Sequence, residues 1–583
     1  MLRRSLTTTA NLAIKSRALS SVASSSRVPL VGVAIGRIAP NCSPTWRPAP
    51  IGARSASTSS TSPGYWLVDH VGVDQRRMDL WNGDQDLLRH ESVYSERKVP
   101  PSGRWAAASF HCIHSTDPGT GKQIGTLPDM GLDDTKQAID RAYEAFQTWG
   151  KTSEYERSKI LAKMFQLTNE SAEDLAQILT AENGKPLVDA RGEISYGGSF
   201  WEWYAGEAVR SYGDIIPSSV PGVQNTVIKQ PVGFPNAMVT RKVGAALAAG
   251  CTVVIKAPSE TPYSILAIAE IAKRAGVPDG VINVILTQES TSAVGKELCE
   301  NPKVHKVSFT GSTRVGKILM KQSSESLKKL SMELGTYVRT GGAFWDPASR
   351  ARLSHTGGNA PLIVFNDADL DKAVAGTIVS KFRLSGQTCV CANRILVQDG
   401  VYDRFASKLA DAVRKFKVGE GTGEGITHGP LIHENAVKKV KSHVEDAKKK
   451  GAKVVVGGDV LDLPGYFFQP TVLIEVQRCA IDEDETFGPL AALYRFKTEA
   501  EAIERANEPD VGLAAYIFTE NISRMHRVSA ALETGMVGAN TGAISQAGIP
   551  FGGVKQSGFG REGSKYGLSE YQIIKFVAIG GLN

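Results

Sequence analysis

The sequence predicts an α/β protein: a Rossmann-like domain, a second α/β domain facing it, and a small projecting β-hairpin. Three observations carry this. Between residues 252 and 334 short strand-like runs alternate three times with helical stretches, the pattern of a parallel sheet covered by helices. A further set of alternations runs from about residue 361 to 546. The chain has 583 residues, 42% hydrophobic and 22% charged, a composition ordinary for a globular protein with more than one domain.

Taken in order, the chain opens on a leader. Residues 1–62 hold eight basic side chains, from Arg3 to Arg54, and no acidic one, amid abundant Ser, Thr and Ala. That is the composition of a mitochondrial transit peptide, so the expected location is the mitochondrial matrix. Without those eight residues the formal charge falls from +7 to −1, which removes the case for a nucleic-acid partner. The longest apolar run, residues 28–36, is far short of the roughly 20 residues a membrane span needs, so no membrane partner is expected. Residues 63–105 show no sustained period and receive no role. Seven cysteines, an odd number spread along the chain, read as reduced thiols.

From residue 106 the punctuation becomes regular. Asp117-Pro118-Gly119-Thr120-Gly121 reads as a turn between short strands. Apolar residues at helical spacing predict one helix over 133–149 and another over 154–179. A hairpin follows at about 211–230, its strands at Gly213-Asp214-Ile215-Ile216 and Thr226-Val227-Ile228-Lys229, a ribbon suited to association. Strand-like Thr252-Val253-Val254-Ile255 leads to a helix after Pro262, Val281 to Ile285 to one near Ala293, and Val307-Ser308-Phe309 to one from Arg314. In the second half, Leu362 to Phe365 and Arg394 to Val397 read as strands. Ligands are expected outside the carboxyl ends of such sheets, in the cleft between the domains.

Gly386-Gln387-Thr388-Cys389 ends a helical stretch over 373–384 and places Cys389 on a loop. Alone, a cysteine in so long a chain reads as a small buried hydrophobe. Its company changes that reading. The run Phe382-Arg383-Leu384-Ser385-Gly386-Gln387-Thr388-Cys389-Val390-Cys391-Ala392-Asn393 closely resembles the cysteine signature of the aldehyde dehydrogenases. Phe309-Thr310-Gly311-Ser312-Thr313-Arg314-Val315-Gly316 resembles that family's cofactor turn, and Glu485-Thr486-Phe487-Gly488-Pro489 its nicotinamide-ribose site. With Pro550 to Gly558 the resemblance covers roughly residues 115–582.

It implies an aldehyde dehydrogenase-like fold, with an NAD(P)-binding domain over 106–334, a catalytic domain over 358–546 and a C-terminal segment over 547–583 bearing an oligomerisation strand. It also implies that Cys389 attacks an aldehyde and that Glu333, within Ser331-Met332-Glu333-Leu334-Gly335, activates water against the resulting thioester, general-base work that needs a carboxylate near neutral pKa. NAD or NADP is the implied cofactor, held by Lys256, Ser259, Gly295, Gly311, Ser312, Gly316, Glu485 and Phe487. Gly311 lets backbone approach a pyrophosphate, and Ser312 opens a helix whose amides favour anions. Ser259 is small and neutral where NAD-restricted relatives carry glutamate, leaving room for a 2′-phosphate.

Within the family the chain resembles the succinate-semialdehyde dehydrogenases, through Ala237-Met238-Val239-Thr240-Arg241-Lys242, Lys381-Phe382-Arg383, Ile544-Ser545 and Arg561 to Gly567. This implies oxidation of succinate semialdehyde in 4-aminobutyrate degradation, by a homotetramer or dimer, with Arg241, Arg383 and Ser545 on the substrate carboxylate. For either arginine the competing reading is a structural ion pair. Cys391 is implied as the partner of Cys389 in an oxidative off-switch, or else is a spectator thiol. A metal site is not expected, because Cys389-Val390-Cys391 has no second ligand pair at zinc spacing. Competing functions are dehydrogenation of another small aldehyde, or a catalytically impaired protein of this fold.

Two departures favour the impaired reading. Between Gly233 and Phe234 about nine residues of the family pattern are missing, a central strand whose asparagine supplies half of the oxyanion hole. Asn236 is a different family position and does not inherit that role. After Gly335 the chain inserts Thr336 to Gly357, so that 335–357 is expected to form an atypical loop beside Glu333. Together the missing and the extra segment suggest one coding segment removed and one intron translated, which sequencing the transcript checks.

Overall fold

The computed structural model describes residues 112–233, 239–335 and 358–582, with the backbone of Pro235 and Asn236. The leader, the segment 63–105 and the inserted residues 336–357 lie outside the described residues.

β1 (Cys112–Thr116) and β2 (Gln123–Pro128) pair antiparallel around the expected turn. There Asp117 Oδ1 accepts the Gly119 N–H at 2.8 Å and Gly121 takes the left-handed φ of +68° that glycine permits. Helix Leu132–Trp149 follows as predicted. The stretch predicted as a single helix over 154–179 is two, Glu154–Glu170 and Ala172–Asn183, broken at Ser171 (φ −99°, ψ 15°). Serine offers its neighbours a competing hydrogen bond and so favours helix ends over interiors. Helix Leu187–Ala208 was not expected, because Gly192, Gly197 and Gly198 dilute its pattern, yet it buries Phe200, Trp201 and Tyr204.

The predicted hairpin is β3 (Asp214–Ile216) and β4 (Gln224–Pro231). β5 (Pro235–Asn236), β6 (Val253–Ala257), β7 (Ile282–Leu286), β8 (Lys306–Ser312) and β9 (Lys329–Gly335) follow, with helices between them. The second half supplies β10 (Ala360–Val364), β11 (Ala392–Gln398), β12 (Lys453–Val456), β13 (Thr471–Ile474), β14 (Leu490–Phe496), β15 (Val511–Gly512), β16 (Ala514–Phe518) and β17 (Met536–Ala539). The tail adds β18 (Val554–Lys555), β19 (Gly558–Phe559) and β20 (Gln572–Ile579).

These strands form two large sheets. The first has the order β19-β9-β8-β5-β6-β7 and is parallel except for β19. The second has the order β12-β13-β14-β11-β10-β16-β17 and is parallel except for β12. Every residue of β10 and β16 is buried, as strands covered on both faces must be. A smaller sheet, β20-β4-β3, carries exposed apolar side chains, among them Ile215, Ile574 and Phe576.

The shortened centre of the first sheet is visible in its ladder. β5 is two residues long, and only Asn236 faces β6, at Val254, while Pro235 and Asn236 face Lys306 and Val307 of β8. The strand slot is therefore kept, but filled by residues drawn from the segment that leads into helix Val239–Ala249.

Candidate active site

Cys389 follows an unusual backbone. The helical stretch expected over 373–384 is regular only over Leu370–Thr377, widens to a π-turn at Ile378–Phe382, and is followed by three left-handed residues: Leu384 (φ 54°), Ser385 (φ 52°) and Gly386 (φ +72°). Left-handed geometry costs a non-glycine residue about 1–2 kcal/mol, so the turn must be held from outside. Ser385 Oγ donates to Gly429 O at 2.9 Å and Gln387 Nε2 to Pro430 O at 3.2 Å, while Gln387 Oε1 accepts the Ile432 N–H at 3.0 Å. The Asp189 carboxylate accepts the Leu384 N–H. A Cβ on Gly386 would overlap the Gly488 carbonyl, so glycine is required where the turn meets that loop. Cys389 emerges half-buried, and Cys391 is buried with its Sγ 2.9 Å from Thr388 Oγ1.

Glu333 lies on β9 between Thr310 of β8 and Gly558 of β19. Its side chain is buried and Oε2 finds no hydrogen-bond partner among the described residues. Burial pushes the carboxyl up to about 7, against the pull of Lys242, Arg241 and Arg561. Lys242, on helix Val239–Ala249, is itself wholly buried, forms an ion pair with Glu562, and is pushed down to about 7 by desolvation. Burial raises the Cys389 thiol to about 12; Arg241 opposes this, while Glu485, Glu333 and Cys391 add to it. Cys389 and Glu333 therefore share one electrostatic neighbourhood, with the sulfur resting as a thiol.

Glu485 is also buried, and its charge reaches Cys389. A Cβ on Gly358 would overlap the Cys389 carbonyl and lie 3.0 Å from Glu485 Oε1, and one on Gly335 would lie 3.7 Å from Glu485 Oε2. Gly335 and Gly358, the described residues that flank the inserted segment, thus both lie close to this carboxylate.

Arg241 is committed elsewhere: its Nε is 2.8 Å from Glu562 Oε2 and its guanidinium lies 4.0 Å over the Phe551 ring. Arg383 is exposed, and its charge reaches Asp189 and Tyr516. Ser545 is half-buried in the loop after β17.

The residues expected to hold a dinucleotide fit one. Gly311 and Ser312 end β8, and the Ser312 hydroxyl accepts the Val315 N–H at 3.3 Å as the cap of helix Thr313–Ser323. A Cβ on Gly316 would overlap the Leu334 side chain, the close helix–strand packing that such a turn needs. Lys256 is on β6, its ammonium lowered by burial, and Gly295 is on helix Thr291–Glu300. Ser259 Oγ donates to Glu260 Oε2 at 3.1 Å, which sets a carboxylate beside the serine. Phe487 is half-buried next to Glu485.

Lys242, Glu562, Arg561 and Asp189 are neighbours of this site to which the sequence reading gave no role. Lys242 and Arg561–Glu562 stand in motifs the sequence made conspicuous, but the ion pair spans 320 positions and has no local signature.

The sequence profile of the Aldehyde dehydrogenase family matches residues 105–337 and 349–577. The chain is 50% identical over 508 residues to the NADP-dependent succinate-semialdehyde dehydrogenase of Escherichia coli, covering 85% of this chain and 99% of that one. It is 51% identical over 507 residues to a glutarate-semialdehyde dehydrogenase of Pseudomonas putida, with the same coverage. The mitochondrial succinate-semialdehyde dehydrogenase of Rattus norvegicus is 47% identical over 534 residues, 89% of this chain and 96% of that one. The crystal structure of succinate-semialdehyde dehydrogenase from Burkholderia pseudomallei superposes with a TM-score of 0.77 at 47% identity, covering 85% of this chain and 99% of that one.

Proposed function

The chain belongs to the aldehyde dehydrogenase family, and on that premise we propose that it oxidises succinate semialdehyde to succinate with NAD+ or NADP+. The observation that carries the mechanism is the buried Glu333 carboxyl, raised to about 7, in the same field as the Cys389 thiol.

Arg241, Arg383 and Ser545 receive the substrate carboxylate, each charged hydrogen bond contributing roughly 1.5–3 kcal/mol. For Arg241 this requires sharing its guanidinium with Glu562. Cys389 forms its C–S bond to the aldehyde carbon as its thiol proton passes to the aldehyde oxygen, which leaves Glu333 free as the base whose proton affinity suits deprotonation of water near neutral pH. The dinucleotide, held by Lys256, Gly295, Gly311, Ser312, Gly316, Glu485 and Phe487, supplies the hydride acceptor. Glu333 then takes a proton from water as its oxygen attacks the thioester, and the released thiol and succinate complete the cycle. Ser259 does not repel a 2′-phosphate, whereas the Glu260 carboxylate it bonds does, so both cofactors remain within reach.

The two-residue β5 supports the second reading, an impaired enzyme. Among the described residues the Cys389 N–H is the one obvious oxyanion donor, and loss of one such donor typically slows turnover by about 10²–10³. The deciding assay is steady-state turnover of succinate semialdehyde, glutarate semialdehyde and a neutral aldehyde with each cofactor. It is run beside a version with the nine residues restored and 336–357 removed. Turnover of succinate semialdehyde by the chain as it stands supports the proposal, turnover by the restored version alone supports the impaired reading, and turnover by neither overturns the functional claim.

The leader composition and the mitochondrial relatives support a mitochondrial matrix location. The exposed apolar residues of β3 and β20 support a homo-oligomer, dimer or tetramer. Cys391, two residues from the nucleophile, supports a disulfide off-switch.

A further inference from the structure

Lys381 takes no part in this scheme, yet its side chain is completely buried within the π-turn Ile378–Phe382. Burial lowers the proton affinity of this amine, so a lysine kept charged in this position needs an anion nearby to offset the lost water. The groups whose charge it feels are Cys391 and Glu485, and of these Glu485 is the carboxylate. Lys381 Nζ also donates to the carbonyl of Thr486, the residue next to Glu485, at 3.3 Å. Thr486 is gripped at two further atoms: its N–H donates to Asn393 Oδ1 at 3.1 Å, and its hydroxyl lies 2.8 Å from His443 Nδ1. The short backbone between Glu485 and Phe487 is thus fixed by side chains from three separate elements, one of them charged.

We propose that Lys381 is a positioning residue for the cofactor, pairing with Glu485 and anchoring its backbone so that this carboxylate is aimed at the nicotinamide-ribose hydroxyls. The inference rests on the cofactor reading above. It assigns the buried ammonium to dinucleotide affinity, and neither to the substrate carboxylate nor to the nucleophile.

The test is direct titration of the purified full chain with NAD+ and with NADP+, followed by protein fluorescence, for wild type, Lys381→Met, Lys381→Arg, Glu485→Gln and the double variant Lys381→Met/Glu485→Gln. Loss of a charge-assisted contact predicts a Kd raised by about tenfold or more in Lys381→Met. Lys381→Arg is expected to recover most of the affinity, and the double variant to bind no worse than Glu485→Gln alone. Wild-type affinity in Lys381→Met, or losses that multiply in the double variant, would overturn the proposal. If Lys381→Met does not fold, the double variant decides: folded protein supports the pairing, and protein as unfolded as the single variant refutes it. A wild type that binds neither dinucleotide sinks the cofactor reading itself, a result distinct from equal binding by wild type and Lys381→Met.

Discussion

Replacing Glu333 by Gln should damage turnover and strengthen the fold in the same protein. The carboxyl is buried, and its affinity for a proton rises from 4.5 to about 7 on folding. At about 1.4 kcal/mol per tenfold, that corresponds to roughly 3 kcal/mol. Because the folded value is the higher one, the stabilisation is complete below about pH 4.5 and is lost as pH rises through 7. At pH 8 the wild type therefore carries a buried charge that glutamine, neutral at every pH, does not. Thermal unfolding of Glu333→Gln should match wild type at pH 5 and exceed it by a few degrees at pH 8. A base in this role contributes about 10²–10⁴ in rate, so steady-state turnover at pH 7.5 should fall by that factor. The first equivalent of reduced cofactor should still form rapidly, because thioester formation precedes hydrolysis. Equal Tm curves at both pH values would refute the assigned burial, and loss of the initial burst would refute the division of labour between Glu333 and Cys389.

Arg383→Ala should raise the KM for succinate semialdehyde at least tenfold while leaving that for a neutral aldehyde unchanged, since one charged contact contributes roughly 1.5–3 kcal/mol; equal effects on both substrates would remove Arg383 from carboxylate recognition. Cys391→Ser should keep activity but resist inactivation by hydrogen peroxide that dithiothreitol reverses in wild type. Equal sensitivity of the two proteins would exclude the off-switch. Gly316→Val should overlap Leu334 and lower stability by about 1–3 kcal/mol, with weaker dinucleotide binding, read by urea midpoint and titration. Phe576→Lys and Ile574→Lys together should shift the protein to smaller species in sedimentation velocity, and an unchanged distribution would exonerate β20.

Much of the site was legible because its chemistry lies in short runs. Cys389, Glu485, Gly311 and Ser312 sit within a few residues of their motif partners, and strand–helix alternation located β6, β7 and β8. What escaped was fixed by contacts the chain makes with distant parts of itself. The Lys242–Glu562 pair that bears on Glu333 is one such contact. The left-handed turn at Leu384 and Ser385 escaped because neither residue advertises that conformation; the 428–432 loop and Asp189 impose it. The missing central strand could be seen as absent residues, but the use of Pro235 and Asn236 to keep its slot is a property of the sheet, whose neighbours on either side still need a partner.

The way the first sheet is finished bears on when the protein can become competent. β9, which carries the proposed base Glu333, gains its outer neighbour from Gly558–Phe559, and β4 gains its own from Gln572–Ile579. The Val232 N–H donates to Tyr571 O at 2.9 Å, and Lys242 meets Glu562. A chain emerging from the ribosome, or threading amino end first through a translocation pore, would complete nearly all its length with this half still open. Contacts of such long sequence separation form slowly and leave strand edges exposed while they wait. A stop codon at about position 559 would then strip away no proposed catalytic or ligand-binding residue, yet would cut β19 short and remove Glu562 and all of β20, leaving a protein that never closes around Glu333, a fate better recognised by chaperone retention than by any change in its proposed catalytic residues.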